Sequence, residues 1–302
     1  MECGIVEISK NNIYISKHRG FLKVCENDKT LGEIPLDTIN SVIISADTTT
    51  ISKQLLTTFA ENGIATVICG KNYHPISITL PYENNNEFSK RLKIQVDVSK
   101  PLQKRIWQKI IVRKLLNQAL TLSQITNNMK ATAKIMRFSE MVRSGDPENY
   151  EAQGAKVYWE HLFDKKFTRN KDGNDENIAF NYSYTVLRAA MARAITGVGL
   201  IPALGIHHRS YLNSFALVDD LMEPYRPICD FVVKKTLKNN DFDELTPKIK
   251  KELASILTLD LKKENGEKSP LVTCIHKTAY SLFESYQDKE NKISYPCLNY
   301  EC

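Results

Sequence analysis

Apolar side chains in the first 80 residues come in short alternating or continuous runs separated by polar turn residues, which is the pattern of strands. Residues 5–8 and 13–15 flank Asn11-Asn12, and this predicts a hairpin because Asn tolerates positive φ. Further strands are expected at 21–24, 33–35 and 41–45. Residues 51–62 read as a helix, with Ile51, Leu55, Leu56 and Phe59 on one side and Gly63 as its stop. A buried strand at 64–69 and another at 75–80 complete a small, mostly β region with one helix.

Beyond Tyr82-Glu-Asn-Asn-Asn-Glu-Phe88, a polar stretch that reads as a linker, the period changes. Lys100-Pro101 opens a helix in which Leu102, Ile106, Ile110 and Leu116 keep helical spacing to about Leu122. Its other side carries Lys104, Arg105, Lys109, Arg113 and Lys114. Another helix at 131–143 ends at Ser144-Gly145. Asp146 is then the expected N-cap, with Pro147 in the first turn, of a helix that carries Glu151. Residues 181–196 are Ala-rich and helical, stopped by Gly197-Val-Gly199. From 215 to 261 the pattern is helical, with breaks near Pro224 and Pro227 and at Asn239-Asn-Asp241, and a last helix spans 271–286. The fold class is α+β: a small N-terminal β-rich domain at 1–80, a linker at 81–99, and a larger all-α domain at 100–302.

Size and composition add limits. The chain has 302 residues, 42% of them apolar and a quarter charged, enough for a full core. No apolar run approaches the roughly 20 residues of a membrane span, and the first residues lack the layout of a signal peptide. Seven scattered cysteines without a C-x-x-C pair indicate reduced thiols in a cytoplasm. The net charge is +6, and all of the surplus lies in residues 81–150, which hold 13 basic and 6 acidic side chains. A local basic excess suits a polyanion such as DNA, although a solvated helix face accounts for it equally well.

The chemistry concentrates in Gly199-Leu-Ile-Pro-Ala-Leu-Gly-Ile-His-His-Arg209 and the helix that follows. His207 and His208 sit on a Gly/Pro-punctuated connection, where adjacent side chains point in opposite directions, so only one is expected to be a ligand. Asp220 and Glu223 share a helix face at i,i+3, and Asp219 and Glu223 are i,i+4 neighbours. Glu151 lies on a packed helix face with Ala155 and Tyr158. An ionised carboxylate there costs several kcal/mol unless it is paired or bound to a cation. One alternative is an ion pair with Arg188 or Arg193; another is that the carboxylates merely favour a helix N-terminus. Carboxylates with a single imidazole suit Mg²⁺ or Mn²⁺, and beside a basic surface they suggest phosphodiester chemistry. Gly63–Lys71 lacks P-loop spacing, Gly197-Val-Gly-Leu-Ile-Pro202 lacks the dinucleotide fingerprint, and no G-x-S-x-G is present. Cys69 and Cys229 lie in apolar runs and are expected in the core.

The stretches Glu151-Ala-Gln-Gly-Ala-Lys-Val-Tyr-Trp159, Asn181-Tyr-Ser-Tyr184, Gly199-Leu-Ile-Pro-Ala-Leu-Gly-Ile-His-His208 and Asp220-Leu-Met-Glu-Pro-Tyr-Arg-Pro227 resemble the CRISPR-associated spacer-acquisition endonuclease/integrase family of type II systems. The resemblance covers essentially the whole chain. It implies a metal-dependent enzyme in which Glu151, His208 and Glu223 hold Mg²⁺ or Mn²⁺ and carry catalysis. His207 and Asp220 would stand beside that site. It also implies a homodimer built through the β-rich domains and joined by a small adaptation partner protein into a heterohexamer on double-stranded DNA. The 3′-hydroxyls of a captured fragment would attack the ends of a repeat in the CRISPR array, and other type II proteins of the locus would cooperate. Lys104, Arg105, Lys109, Arg113 and Arg209 are the candidates for DNA contact. A non-catalytic DNA-binding or scaffold subunit and a hydrolase of small phosphate esters are the competing readings.

Overall fold

The computed structural model describes residues 4–70, 75–81, 87–163, 176–208, 210, 212–239, 244–262 and 268–296. In chain order the strand-rich part runs through β1 (Gly4–Ile8), β2 (Ile13–His18), β3 (Phe21–Glu26), β4 (Lys29–Pro35), β5 (Ile39–Ile44), β6 (Thr49–Ile51), α1 (Lys53–Glu61), β7 (Ala65–Cys69) and β8 (Pro75–Thr79). These strands form two four-stranded sheets, ordered β1-β5-β7-β8 and β4-β3-β2-β6. Asn11-Asn12 therefore does not close a hairpin, because β1 and β2 lie in different sheets. Asn12 does take positive φ (61°), but the pair anchors a crossing: the Asn11 side chain accepts from the amides of Asp47 and Thr48. The tight hairpins are instead β2–β3, turning at Arg19-Gly20 between paired His18 and Phe21, and β3–β4, where Asn27 and Asp28 both have positive φ between paired Glu26 and Lys29.

Alternation along β5 explains the layering. Val42 and Ile44 face a core shared with Ile15, Leu22, Leu55 and Phe59 of the second sheet and α1. Ile43, with Val67 of β7, faces the opposite way and joins the helical core. The first sheet is thus buried on both sides, as its nearly continuous apolar strands require.

The helical part comprises α2 (Phe88–Val96), α3 (Lys100–Thr126), α4 (Met129–Met141), α5 (Tyr150–Leu162), α6 (Asn177–Gly197), α7 (Ala216–Met222), α8 (Arg226–Asn239), α9 (Pro247–Ala254) and α10 (Leu271–Asp288), with a short ribbon of β9 (Asp260–Lys262) and β10 (Lys268–Pro270). Residues 82–86 of the expected linker lie outside the described residues, and 88–96 form a helix. Gln95 of α2 exchanges hydrogen bonds with Ile201 and Leu204 backbone groups. Pro227 does not break the chain; it sits in the first turn of α8, where its missing N–H costs nothing. Alanine-rich α6 is buried around most of its circumference, which makes it the central post of the helical part. It also reaches the strands: Tyr182 OH donates to Glu7 Oε2 at 3.0 Å, and Arg193 Nε donates to the Gly63 carbonyl at 2.7 Å. Glu7 Oε1 takes Lys250 of α9 at 2.8 Å. Cys69 and Cys229 are buried as expected, and burial pushes both thiols up to about 12. Among the described residues, no helix is long and apolar enough to cross a membrane.

Gly154 sets the approach of α5 to α3. A Cβ there would stand 2.1 Å from Leu115 Cδ2, inside any allowed contact. Gly154→Ala should lower stability by about 1–3 kcal/mol, since neither helix can give way without moving core side chains. Thermal denaturation measures it; an unchanged melting temperature would mean the helices are not held this closely.

Candidate active site

Two caps and a close helix contact determine where Glu151 stands. Asn149 (φ 55°) caps α5, and its side chain accepts from the Ala152 amide. Asp146 accepts from the amides of Tyr150 at 2.9 Å and Glu151 at 3.0 Å. The helix therefore starts three residues later than the Asp146-Pro147 pattern predicts. Asp146 still serves its first turn, because free amides at a helix start need acceptors. Glu151 then points toward α3, where Lys114 meets it.

Lys114 Nζ lies 2.7 Å from Glu151 Oε1 and 2.6 Å from Glu223 Oε2. The Lys114 side chain is only 10% exposed and that of Glu223 9%. Glu223 opens a 3-10 turn between α7 and α8, and its other oxygen faces Arg226 Nε at 2.9 Å. Burial pushes the Glu223 carboxyl up, but the Arg226 guanidinium and Lys114 ammonium outweigh it and hold the carboxyl at about 2. Burial likewise works against the Lys114 ammonium, yet Glu223 and Glu151 raise its pKa overall. At neutral pH this is a charged, mutually neutralising group.

The histidine loop is built around Asp220, which is fully buried. Its Oδ2 accepts from the amides of Ile206 at 2.6 Å and His207 at 2.9 Å. Its Oδ1 accepts from the His208 amide at 3.3 Å and pairs with His208 Nδ1 at 2.5 Å. Gly205 allows this wrap: a Cβ there would meet the His208 carbonyl oxygen at 2.4 Å. The two imidazoles do not diverge as an extended connection would require: their centroids lie 5.7 Å apart in an edge-to-face contact, with rings at 87°, because the backbone bends around Asp220. His207 stacks on buried Trp107 with centroids 4.2 Å apart. His208 is 44% exposed and lines the cavity. Its pKa is raised, chiefly by the Asp220 hydrogen bond; burial opposes this, and the charges of Asp220, Glu223 and Glu151 add to it.

That cavity measures about 690 Å³ and brings together Lys114, Gln118, Arg188, His208, Glu223 and Arg226. Asp219, which spacing could not separate from Asp220, is held by the Arg188 fork at 3.0 and 2.9 Å. Neither Arg188 nor Arg193 pairs with Glu151. Asp230, which lines the cavity together with Tyr184, takes the hydroxyls of Tyr158 at 2.9 Å and Tyr184 at 2.5 Å.

Among the described residues, no three His, Cys, Asp or Glu side chains converge on a ready-made metal cage. The cation that the two carboxylates share is the Lys114 ammonium. The donor chemistry nevertheless fits a hard divalent ion: two ionised carboxylates already gathered around one cation, beside an imidazole whose Nδ1 is committed to a buried carboxylate. An outer carboxylate of that kind orients a ligating histidine and leaves Nε2 for the metal.

Of the expected DNA contacts, Arg105, Lys109 and Arg113 form a stripe at i,i+4,i+8, the first two exposed and the third half-buried. Lys104 is exposed and lies off that stripe, its stem against Gly145. Lys114 leaves the basic face altogether. Its spacing from Ile106 and Ile110 by eight and four residues is the sequence signal that places it on the inward side. Trp107 and Arg226 are further site residues that sequence patterns did not single out, and Arg188, considered only as a partner of Glu151, is another. Arg209 lies outside the described residues.

The family model for CRISPR associated protein Cas1 matches residues 6–265. The CRISPR-associated endonuclease Cas1 of Neisseria meningitidis serogroup C (strain 8013) is 39% identical over 284 residues, 94% of this chain and 92% of that protein. Among solved structures, a casposase bound to integration product superposes with a TM-score of 0.82 at 19% identity, covering 100% of this chain and 95% of the other. A Cas6-RT-Cas1–Cas2 complex matches with a TM-score of 0.78 at 15% identity, covering 99% of this chain and 36% of the other. At such identities the two structures speak for the fold.

In the metal-free protein, His208 should titrate above its ordinary 6.5, and Asp220→Asn should bring it down. The protonated His208–Asp220 pair then adds stability in full below pH 6.5, and that contribution fades as pH rises through the raised folded value. Histidine-resolved NMR titration measures the shift. Equal values in wild type and variant would remove Asp220 as its cause.

Proposed function

Because the chain belongs to the CRISPR-associated Cas1 family, we propose that it is a metal-dependent DNA endonuclease/integrase that inserts short foreign DNA into a CRISPR array. Glu151, Glu223 and the Nε2 of His208 hold one Mg²⁺ or Mn²⁺. The observation that supports this most strongly is Asp220: a fully buried carboxylate spends three amides and an imidazole on presenting a single ring nitrogen. A scaffold with a merely structural polar cluster gives that arrangement no task.

The reaction is a transesterification. A 3′-oxygen of the captured fragment bonds to phosphorus as the P–O3′ bond of the repeat breaks, and the proton lost by the attacking hydroxyl is balanced by one gained on the leaving oxygen. The bound cation supplies Lewis-acid stabilisation of the phosphate and of the attacking and leaving oxygens. The protein residues position and neutralise. Arg188 and Arg226 line the cavity with positive charge, each already oriented by a carboxylate. Arg105, Lys109, Arg113 and Lys104 offer phosphate contacts along α3, and Arg209 belongs to the same proposal. Double-stranded DNA is thus the substrate, in the cytoplasm.

The same reading gives the strand-rich residues 1–80 the role of homodimer contact. Tyr14, Phe21 and Leu31 of the second sheet are exposed apolar side chains suited to it. A Cas1–Cas2 complex among the structural neighbours is consistent with a Cas2-type partner, and a heterohexamer with a small partner protein belongs to the same proposal. Cooperation with further type II proteins is consistent with the Neisseria relative.

His208→Ala should lose strand transfer by at least the roughly hundredfold that removal of a ligand's supporting partner costs, while fold and DNA binding remain. A gel assay of branched-duplex integration with Mn²⁺ reads this, and retained activity would reject His208 as the ligand. Separately, DNA affinity should fall with salt at a slope of about −0.9 per phosphate neutralised. A flat salt profile would refute the basic-surface contacts.

A further inference from the structure

The charged group at the centre of the cavity contains one residue for which metal-dependent phosphodiester chemistry has no assigned use. Lys114 bonds both Glu151 and Glu223, the two carboxylates proposed above as ligands, and it does so from a buried position on α3. An ammonium and a divalent cation cannot both take those oxygens at 2.6–2.7 Å without strong repulsion. Next to it, one turn along the same face of α3, Gln118 also lines the cavity. Gln118 is 3% exposed, and its buried Oε1 has no hydrogen-bond partner among the described residues. A buried amide oxygen left unsatisfied is uncommon and costs about 1–3 kcal/mol. It is an acceptor of the right kind for a displaced ammonium.

We infer that Lys114 is an exchangeable internal counter-cation: it occupies the cation site of the metal-free protein, bridging Glu151 and Glu223, and yields that site to a divalent ion by swinging to Gln118 Oε1. Two consequences follow from charge alone. While no metal is present, Lys114 prevents buried Glu223 and partly exposed Glu151 from repelling each other and keeps them within reach of one ion. When metal enters, it must compete with Lys114, so the lysine sets the affinity threshold and favours a dication over singly charged competitors. Lys114 is a positioning residue here, since it acts on the ligands and touches no substrate. This assignment rests on the proposed metal site.

The test is Mn²⁺ binding to the full chain, followed by EPR of free Mn²⁺ and by calorimetry, without DNA. Lys114→Met should bind Mn²⁺ about tenfold more tightly than wild type, because the competitor is gone. Its metal-free melting temperature should fall, and the rise on adding Mn²⁺ should exceed that of wild type. Gln118→Leu should bind Mn²⁺ several-fold more weakly, since the displaced ammonium loses its acceptor. If Lys114→Met is too unstable to purify, Lys114→Gln gives the same comparison with a neutral side chain that can still hydrogen-bond a carboxylate. Weaker or unchanged Mn²⁺ binding in the folded Lys114 variants would overturn the exchange and make Lys114 a fixed part of the loaded site. Failure of the metal site itself is distinguishable: wild type would then bind no Mn²⁺ that Glu151→Ala or His208→Ala abolishes, and the inference would fall with it.

Discussion

A buried carboxylate and a partly exposed one, Glu223 and Glu151, meet in this protein around a single cation. Glu151 and Glu223 come from elements more than 70 residues apart, and both meet the ammonium of Lys114 at bonding distance. Leaving the buried Glu223 carboxylate ionised and unpaired there would cost several kcal/mol, a large part of a domain's stability. Much of the helical architecture can be understood as meeting that requirement. The long helix α3 carries the cation; Gly154 lets α5 press against it and bring Glu151 in; the 3-10 turn between α7 and α8 delivers Glu223 with Arg226 behind it.

The same principle, satisfying a buried charge completely, builds the histidine loop. Asp220 is surrounded by three amides and an imidazole, so its charge is neutralised by oriented dipoles instead of by a lysine or arginine. The consequence is directional. His208 is fixed through Nδ1 and turned to the cavity, while His207 is removed from it by stacking on Trp107. Structure and chemistry meet in this division: one buried carboxylate sets which of two adjacent histidines faces the cavity.

The order of elements and the α+β class were legible because periodicity reports burial, and burial dominates packing. Helix ends were less so. Asp146-Pro147 has the composition of a cap, but Asn149 competes with it, and only the tertiary contact with α3 makes the later start the better one. Asn11-Asn12 shows the same limit: its tolerance of positive φ was read correctly, whereas the partner of the turn, Thr48 across the strand-rich part, is a non-local fact that spacing does not carry. In the site, Glu151, His208 and Glu223 were recognisable as polar residues in apolar or glycine-punctuated surroundings. Lys114 was not, because a lysine among lysines reads as surface. Its place in the inward stripe with Ile106 and Ile110 outweighs its charge once two carboxylates are there to receive it. Arg188 was considered only as a partner of Glu151, because its pairing with Asp219 is set by tertiary packing, whereas the Arg226–Glu223 pair is local, three residues apart.

The central claim is that Glu151, Glu223 and His208 would together hold a divalent ion in the place that Lys114 occupies. Anomalous diffraction from a crystal of the full chain grown with Mn²⁺ examines it most directly. The account predicts a single strong peak contacting both carboxylates and His208 Nε2, with Lys114 Nζ drawn away from them. Manganese elsewhere, with the Glu151–Lys114–Glu223 bridge intact, would contradict it.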